Sequence, residues 1–358
     1  MRMLSGDDIA RRADDWTPLV DAAEEGLVAL ASGGYDAPVR SSITLEGGTL
    51  LTMPGRLADA PTALVKLVSV VPANAVVGRP AIQGVAVVFD ARSGAPMALL
   101  DGAALTAVRT AAVSAAAVRR LATPDARVLA LLGSGAQASW QARAIAAVRP
   151  VEQILVWSPR SSSRERLAAE LARLDGAGGL VRVQAVDDPT EATREAAIVC
   201  CATTAPRAFL HAAMLPAPPS PVLVVAIGAF RPDMAEVAPS VFARAGRVYV
   251  DDRAAVLHEG GDVLAALAAG ALTPEQVVPV GSIMDGGHSG HERDDMPGAE
   301  GGTVVFKSVG SAAEDVAVAA ALMLAHDNRL LSNVESGRDV LRRARARVVK
   351  SDANSERT

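Results

Sequence analysis

Aromatic side chains are nearly missing from this chain: five Phe, three Trp and two Tyr make up 3% of 358 residues, although half of the residues are apolar. A core of that size must be assembled from Ala, Val and Leu, which favours α/β layering with small residues where helices meet a sheet. Cysteine is equally scarce. Cys200 and Cys201 are neighbours, so they cannot build a disulfide framework and read as small core residues in a reducing compartment. Excess positive charge is lacking: a net charge of -5 offers no basic footprint for nucleic acid. The longest apolar runs, such as residues 221–230, fall far short of the roughly 20 residues that span a bilayer. Asp7, Asp8, Asp14 and Asp15 occupy the N-terminal stretch where a secretory leader would be apolar, so a cytoplasmic location is expected. Lysine is the last scarcity. Lys66, Lys307 and Lys350 are the only lysines among 35 basic residues.

What is present is a strand, a glycine turn and a helix start in Arg127-Val-Leu-Ala-Leu-Leu-Gly133-Ser-Gly135-Ala136-Gln137-Ala138. The apolar run suits a parallel strand covered on both faces. Gly133 allows the tight turn, Gly135 allows backbone to approach a pyrophosphate, and Ala138 allows close packing of helix on strand. The helix then aims its unpaired N–H groups at phosphate. A turn that binds nothing would have the same short motif. The βα rhythm that follows favours dinucleotide binding, with strands expected at residues 153–157, 180–185, 197–201, 222–227 and 247–250. Helices are expected at 163–174, 189–195 and 252–269.

The flanking regions differ. Ser5 caps a helix whose apolar positions, from Ile9 through Trp16 to Leu27, recur until Gly33-Gly34. Strands follow at residues 42–45, 49–53, 63–71 and 84–90, with a turn at Ser93-Gly94 and a helix over 105–121. Residues 281–302 read as a polar surface loop, 304–306 as a strand and 312–325 as a helix with Glu314 and Asp315 in its first turn. Residues 338–358 read as a solvated helix fraying into a tail. The expected fold class is therefore α/β: a Rossmann-like doubly wound domain, residues 123–310, inserted into a discontinuous α+β domain. Residues 1–122 and 311–358 form that second domain, for substrate binding and dimerisation.

After the second nucleotide-domain strand come Ser158, Arg160 and Ser161, with no carboxylate to bind ribose hydroxyls. That set suits a 2′-phosphate, so NADP(H) is preferred and NAD(H) is the second choice. Lys66 lies in Ala63-Leu-Val-Lys-Leu-Val-Ser-Val70, on the strand face opposite Val65 and Leu67. A solvated outer face and a buried, functional ammonium fit this pattern equally well. Arg40 and Arg109, the latter inside an apolar helix, each need an anion if buried; a substrate carboxylate and a cofactor phosphate are the candidates. His288, His291, Glu292, Asp294 and Asp295 have metal-like ingredients in a glycine-rich setting, and no metal is expected. His258, Glu259 and Asp262 read as a structural helix entry.

The set Lys66-x-Val68, Pro72-x-Asn74, Gly78-x-Pro80, Leu100-Asp-Gly102-x-x-Leu105-Thr-x-x-Arg109-Thr110, Gly133-Ser-Gly-Ala-Gln-Ala138, Gly228-x-x-x-Pro232 and Ser308-Val309-Gly-x-Ala-x-Glu-Asp315 resembles the ornithine cyclodeaminase/mu-crystallin family over residues 38–320. The resemblance implies a homodimer. It implies that Arg40 and Lys66 contact a substrate carboxylate, with Phe230 and Val309 beside the substrate. It also implies that Arg109, Thr110, Gly133, Gly135, Ala136, Gln137, Thr203, Ile227 and Ser308 border the cofactor. Cyclodeaminases of the family carry an aspartate in the turn after the fifth strand; here Phe230 stands there, and Asp233 is three residues on. This departure favours the branch that reduces cyclic imino acids: Δ1-pyrroline-2-carboxylate to L-proline, and Δ1-piperideine-2-carboxylate to L-pipecolate, with Lys66 as the acid. The alternatives are an amino-acid cyclodeaminase or dehydrogenase, and a non-catalytic NADPH- or ligand-binding protein.

Overall fold

The computed structural model describes residues 1–284 and 302–324, apart from Val39 and Asp59. The polar segment with its two histidines, and the arginine-rich C-terminal stretch, lie outside the described residues.

The first sheet is assembled from β1 (Arg2–Leu4), β2 (Tyr35–Asp36), β3 (Ser41–Leu45), β4 (Gly48–Leu57), β5 (Thr62–Val70), β6 (Ile82–Asp90) and β7 (Pro96–Asp101). Its order is β1-β7-β6-β5-β4-β2, with β3 also paired to β4. One face carries a cross-strand row in which Met53 pairs with Lys66, Lys66 with Ala86 and Ala86 with Leu100. All four residues of that row are buried. The opposite face leaves Ile43, Leu67 and Val85 exposed. Helices α1 (Gly6–Arg12), α2 (Thr17–Ser32) and α3 (Gly102–Leu121) are built around this sheet.

The second sheet holds eight parallel strands. These are β8 (Val128–Leu132), β9 (Gln153–Trp157), β12 (Arg182–Ala185), β13 (Ile198–Cys201), β14 (Val222–Ala226), β15 (Val248–Val250), β16 (Val277–Pro279) and β17 (Thr303–Lys307). A two-strand ribbon, β10 (Asp175–Gly176) and β11 (Gly179–Leu180), precedes β12. The order β12-β9-β8-β13-β14-β17-β15-β16 reverses direction between β8 and β13. Ligands of open α/β sheets bind outside the carboxyl ends of the strands at such a reversal. Helices α4 (Ala138–Val148), α5 (Ser161–Leu171), α6 (Pro189–Thr193), α7 (Pro239–Ala245), α8 (Arg253–Glu259) and α9 (Gly261–Ala268) accompany this sheet. The last described helix, α10 (Ala312–Leu324), leaves it and packs on α2, α3, β4 and β5. The α/β fold class with a Rossmann-like parallel sheet is as the sequence indicates.

Several boundaries differ from the sequence pattern, each for a local reason. The N-terminal periodicity is two helices: Pro18 begins the second, and Asp15 Oδ1 accepts the Thr17 N–H at 3.0 Å. The helix expected over 252–269 breaks at Gly260, because α9 starts hard against the 231–234 turn. The expected start of α5 at Ser163 moves to Ser161, with no side-chain cap at Arg160. The strand expected from 180 begins at Arg182, since Gly179–Leu180 closes a separate ribbon. β7 and β16 were not expected. Their prolines weaken the strand signal; β7 pairs with β6 across the Ser93-Gly94 turn and with the distant β1, and β16 pairs with β15.

Candidate functional site

Along the carboxyl edge of the parallel sheet, the loops after β8, β9 and β13 enclose a cleft of about 830 Å³. Gly133, Gly135 and Ala136 form its floor, and Trp157, Ser158, Arg160, Thr203, Arg207 and Phe209 are among its walls. Gly133 has φ 123°, and a Cβ there would stand 2.4 Å from the Ala202 carbonyl oxygen, so only glycine fits this turn. Nothing crowds the position a Cβ would take on Gly135, which leaves the backbone open to a ligand. Gln137 flanks the start of α4, and its buried Oε1 has no hydrogen-bond partner. An open glycine cradle at a helix start is what a dinucleotide pyrophosphate would use, so the residues present fit that group.

The ribose end of the cleft is more nuanced than the sequence suggests. Ser158 is buried; Ser134 Oγ donates to its hydroxyl at 2.8 Å, so it braces the glycine turn. Arg160 is exposed in the cleft wall, whereas Ser161 opens α5 and is not part of the lining. Arg207 joins the lining from the loop after β13. Sequence reading missed it because a single arginine carries no signal in so arginine-rich a chain.

Toward α10 the chemistry changes. Lys66 is 1% exposed, and its Nζ lies 2.6 Å from Asp315 Oδ2. Arg109, projecting from α3, reaches Glu314 Oε2 at 2.8 Å and Asp315 Oδ1 at 3.1 Å. Glu314 and Asp315 therefore face inward in the first turn of α10, Asp315 against both buried cations and Glu314 against Arg109. A buried charge without such a partner would cost several kcal/mol. Burial pushes the Lys66 ammonium below the ordinary lysine range, and the Asp315 charge pulls it partly back. Burial also works against the Arg109 charge, but Asp315 and Glu314 outweigh it and raise that guanidinium further. Glu314 is pushed up to about 8 by burial, with Asp251 adding to the rise and Arg109 opposing it. The solvated-face reading of Lys66 is thereby excluded. The acidic pair was legible only as a helix start; its enclosure in an otherwise apolar run was the missed signal.

Arg40, the other expected carboxylate ligand, is ion-paired with Glu259 at the end of α8, both side chains about one-fifth exposed. Sequence reading treated Glu259 as a helix entry only. Ser308 follows β17 and donates its hydroxyl to Asp251 Oδ2 at 2.6 Å, as do the Val309 and Gly310 N–H groups at 2.9 and 2.7 Å. Thr110 is buried and donates to the Thr106 carbonyl at 2.7 Å. Ile227 and Val309 are buried, and Phe230 is partly buried against the apolar cluster that contains Val309. Asp233 turns outward instead and pairs with Arg231 at 2.9 Å on the exposed surface. His258 is exposed, and no group of three or more metal-ligating side chains occurs among the described residues. No described helix is long and apolar enough to cross a membrane.

A Rossmann-type cleft, with a buried arginine and lysine gathered by the loop and helix that follow β17 of the same sheet, fits an NAD(P)-dependent oxidoreductase. The chain belongs to the ornithine cyclodeaminase/mu-crystallin family, whose sequence profile matches residues 7–329. It is 34% identical over 286 residues to a Δ1-pyrroline-2-carboxylate reductase of Bacillus cereus, covering 79% of this chain and 83% of that one. A Δ1-pyrroline-2-carboxylate/Δ1-piperideine-2-carboxylate reductase of Azospirillum brasilense is 32% identical over 295 residues, covering 80% and 84%. Among solved structures, the Thermococcus litoralis Δ1-pyrroline-2-carboxylate reductase in complex with NADH and L-proline superposes with a TM-score of 0.80 at 27% identity. That match covers 91% of this chain and 97% of that one.

Proposed function

We propose that this chain reduces a cyclic imino acid, taking Δ1-pyrroline-2-carboxylate to L-proline and Δ1-piperideine-2-carboxylate to L-pipecolate, with NADP(H) preferred over NAD(H). The observation that carries the reading is Lys66: a buried ammonium, depressed by burial and held by Asp315 in the first turn of the helix that follows β17 of the parallel sheet. A cyclic imine accepts hydride readily only when its nitrogen is protonated, and a general acid works best with a pKa near the operating pH. Lys66, directly or through a water it orders, delivers the proton to the imine nitrogen. The reduced nicotinamide, when bound, supplies the hydride that completes the new C–H bond at C2. Asp315 holds the lysine in place before and after transfer.

Arg40 and Lys66 bind the substrate carboxylate, which must compete with Glu259 for the Arg40 guanidinium. Holding the ring in line for transfer removes several kcal/mol from the barrier. Phe230 and Val309 close the ring side. The outward turn of Asp233 supports reduction over cyclodeamination, because Asp233 is then not placed to serve an amine. The relative solved with NADH shows nothing for the NADP(H) preference; Arg160, joined by Arg207, and the missing acid after β9 are what support it.

In this reading residues 1–122 and 311–358 bind substrate and dimerise, and residues 123–310 hold the cofactor. The exposed Ile43, Leu67 and Val85 share one face of the first sheet, a patch suited to a second copy of the chain. Leu67→Asp should then yield a monomer in light scattering; a dimer unchanged by it would refute this interface. The activity itself is tested with a panel of cyclic imines and NADPH or NADH. Cofactor oxidation matched by L-proline or L-pipecolate is expected. Ammonia release from ornithine without imine reduction, or cofactor binding without any turnover, would overturn the reading.

A further inference from the structure

Behind the cleft lies a buried polar relay that the proposed chemistry does not use. Glu236 is fully buried, and its Oε1 accepts the Thr203 N–H at 2.6 Å and the Thr203 hydroxyl at 2.8 Å. Its Oε2 accepts the Gly228 N–H at 2.7 Å. One carboxylate therefore spans the loops that follow β13 and β14, two neighbouring strands of the parallel sheet. The loops are pressed together there: a Cβ on Gly228 would lie 2.0 Å from the Thr203 carbonyl oxygen and 2.5 Å from Glu236 Oε1.

Glu236 is itself anchored from below. Asp262 Oδ1 accepts the N–H groups of Glu236 and Val237 at 2.5 and 2.9 Å, while Asp262 Oδ2 pairs with Lys307 Nζ at 2.7 Å, all buried. Lys307 ends β17, the strand beside β14. The second scarce lysine thus holds a carboxylate that holds the backbone of another carboxylate. Burial pushes the Glu236 carboxyl up and the Lys307 charge pulls it back. All three groups facing that carboxylate are donors, so its ionised form is the one matched by its surroundings.

Resting on the dinucleotide reading above, we propose that Glu236 is a positioning residue, one that locks the loops after β13 and β14 in the spacing that seats the nicotinamide half of the cofactor. The cleft assigned to the adenine half is lined by the loops after β8, β9 and β13, and of the groups that make this lock only Thr203 borders it. Glu236→Gln presents an amide donor to donors and opens the lock without changing side-chain volume.

The test compares NADH with ADP-ribose, which lacks the nicotinamide ring, by quenching of the cleft tryptophans Trp140 and Trp157. Glu236→Gln should weaken NADH about tenfold or more, the worth of one charge-assisted hydrogen bond, and leave ADP-ribose within about twofold. Equal weakening of both ligands, or of neither, would overturn the proposal. Wild-type protein that binds neither ligand would sink the dinucleotide reading instead. Should the variant fail to fold, hydrogen exchange on the wild type decides: the Thr203 and Gly228 amides should be protected before cofactor is added. Fast exchange at both would refute the lock.

Discussion

The two ends of the site are made from opposite materials. At the glycine-turn cleft the chain offers exposed backbone and side chains: Gly135 and Ala136 on the floor, Arg160 and Arg207 in the walls. At the other end Lys66 and Arg109 are already paired with Asp315 and Glu314. An open end binds through what the ligand brings to it. An internally neutralised end is organised before any ligand arrives, so its charges cost no reorganisation during reaction. On the proposed function a substrate carboxylate would compete there with carboxylates of the chain, and the most accessible pair is Arg40–Glu259.

Removing a partner from the closed end should have the largest effect on stability. Asp315→Ala leaves the buried Lys66 ammonium without its counter-ion and should cost about 3–5 kcal/mol in denaturant unfolding. A loss below about 1 kcal/mol, the scale of an exposed pair, would erase the distinction between the two ends.

At the open end the expected effect is selective and smaller. Arg160→Ser should raise KM for NADPH roughly 10- to 100-fold, the worth of about 1.5–3 kcal/mol for a hydrogen bond to a charged group. NADH should be nearly unaffected. Equal losses with both cofactors would remove the 2′-phosphate assignment.

A third expectation concerns pH and carries a direction. Because burial lowers Lys66 from its ordinary 10.5, the acid form is lost, and imine reduction should fall, as pH rises through a break below that value. Asp315 pulls Lys66 upward, so Asp315→Asn should move the break to still lower pH. A profile with no alkaline break, or a break shifted upward, would contradict the assigned proton donor.

The same contrast explains what the sequence revealed. The glycine turn, the strand before it and the helix after it are consecutive, so local chemistry announces them, and the βα rhythm then sets the parallel sheet. The closed end depends on pairs such as Arg109 with Glu314, 205 positions apart, which no local pattern can show. Lys66 could be placed on a strand face from alternation, but which face was buried depended on where α10 docks. Glu236 escaped notice, and Asp262 and Lys307 were not connected with it, for a related reason. Glu236 lies in the loop before α7, Asp262 in the first turn of α9 and Lys307 at the end of β17, and only the assembled sheet edge brings them together.

The central claim is that a buried lysine, not an exposed group, protonates the imine while hydride is delivered. Lys66→Met tests it most directly when turnover with Δ1-pyrroline-2-carboxylate and NADPH binding are measured on the same preparation. The predicted result is cofactor affinity within about twofold of wild type and L-proline formation slower by roughly 10²–10⁴-fold, the usual contribution of general acid–base catalysis. Proline formed by the variant at the wild-type rate would contradict the account.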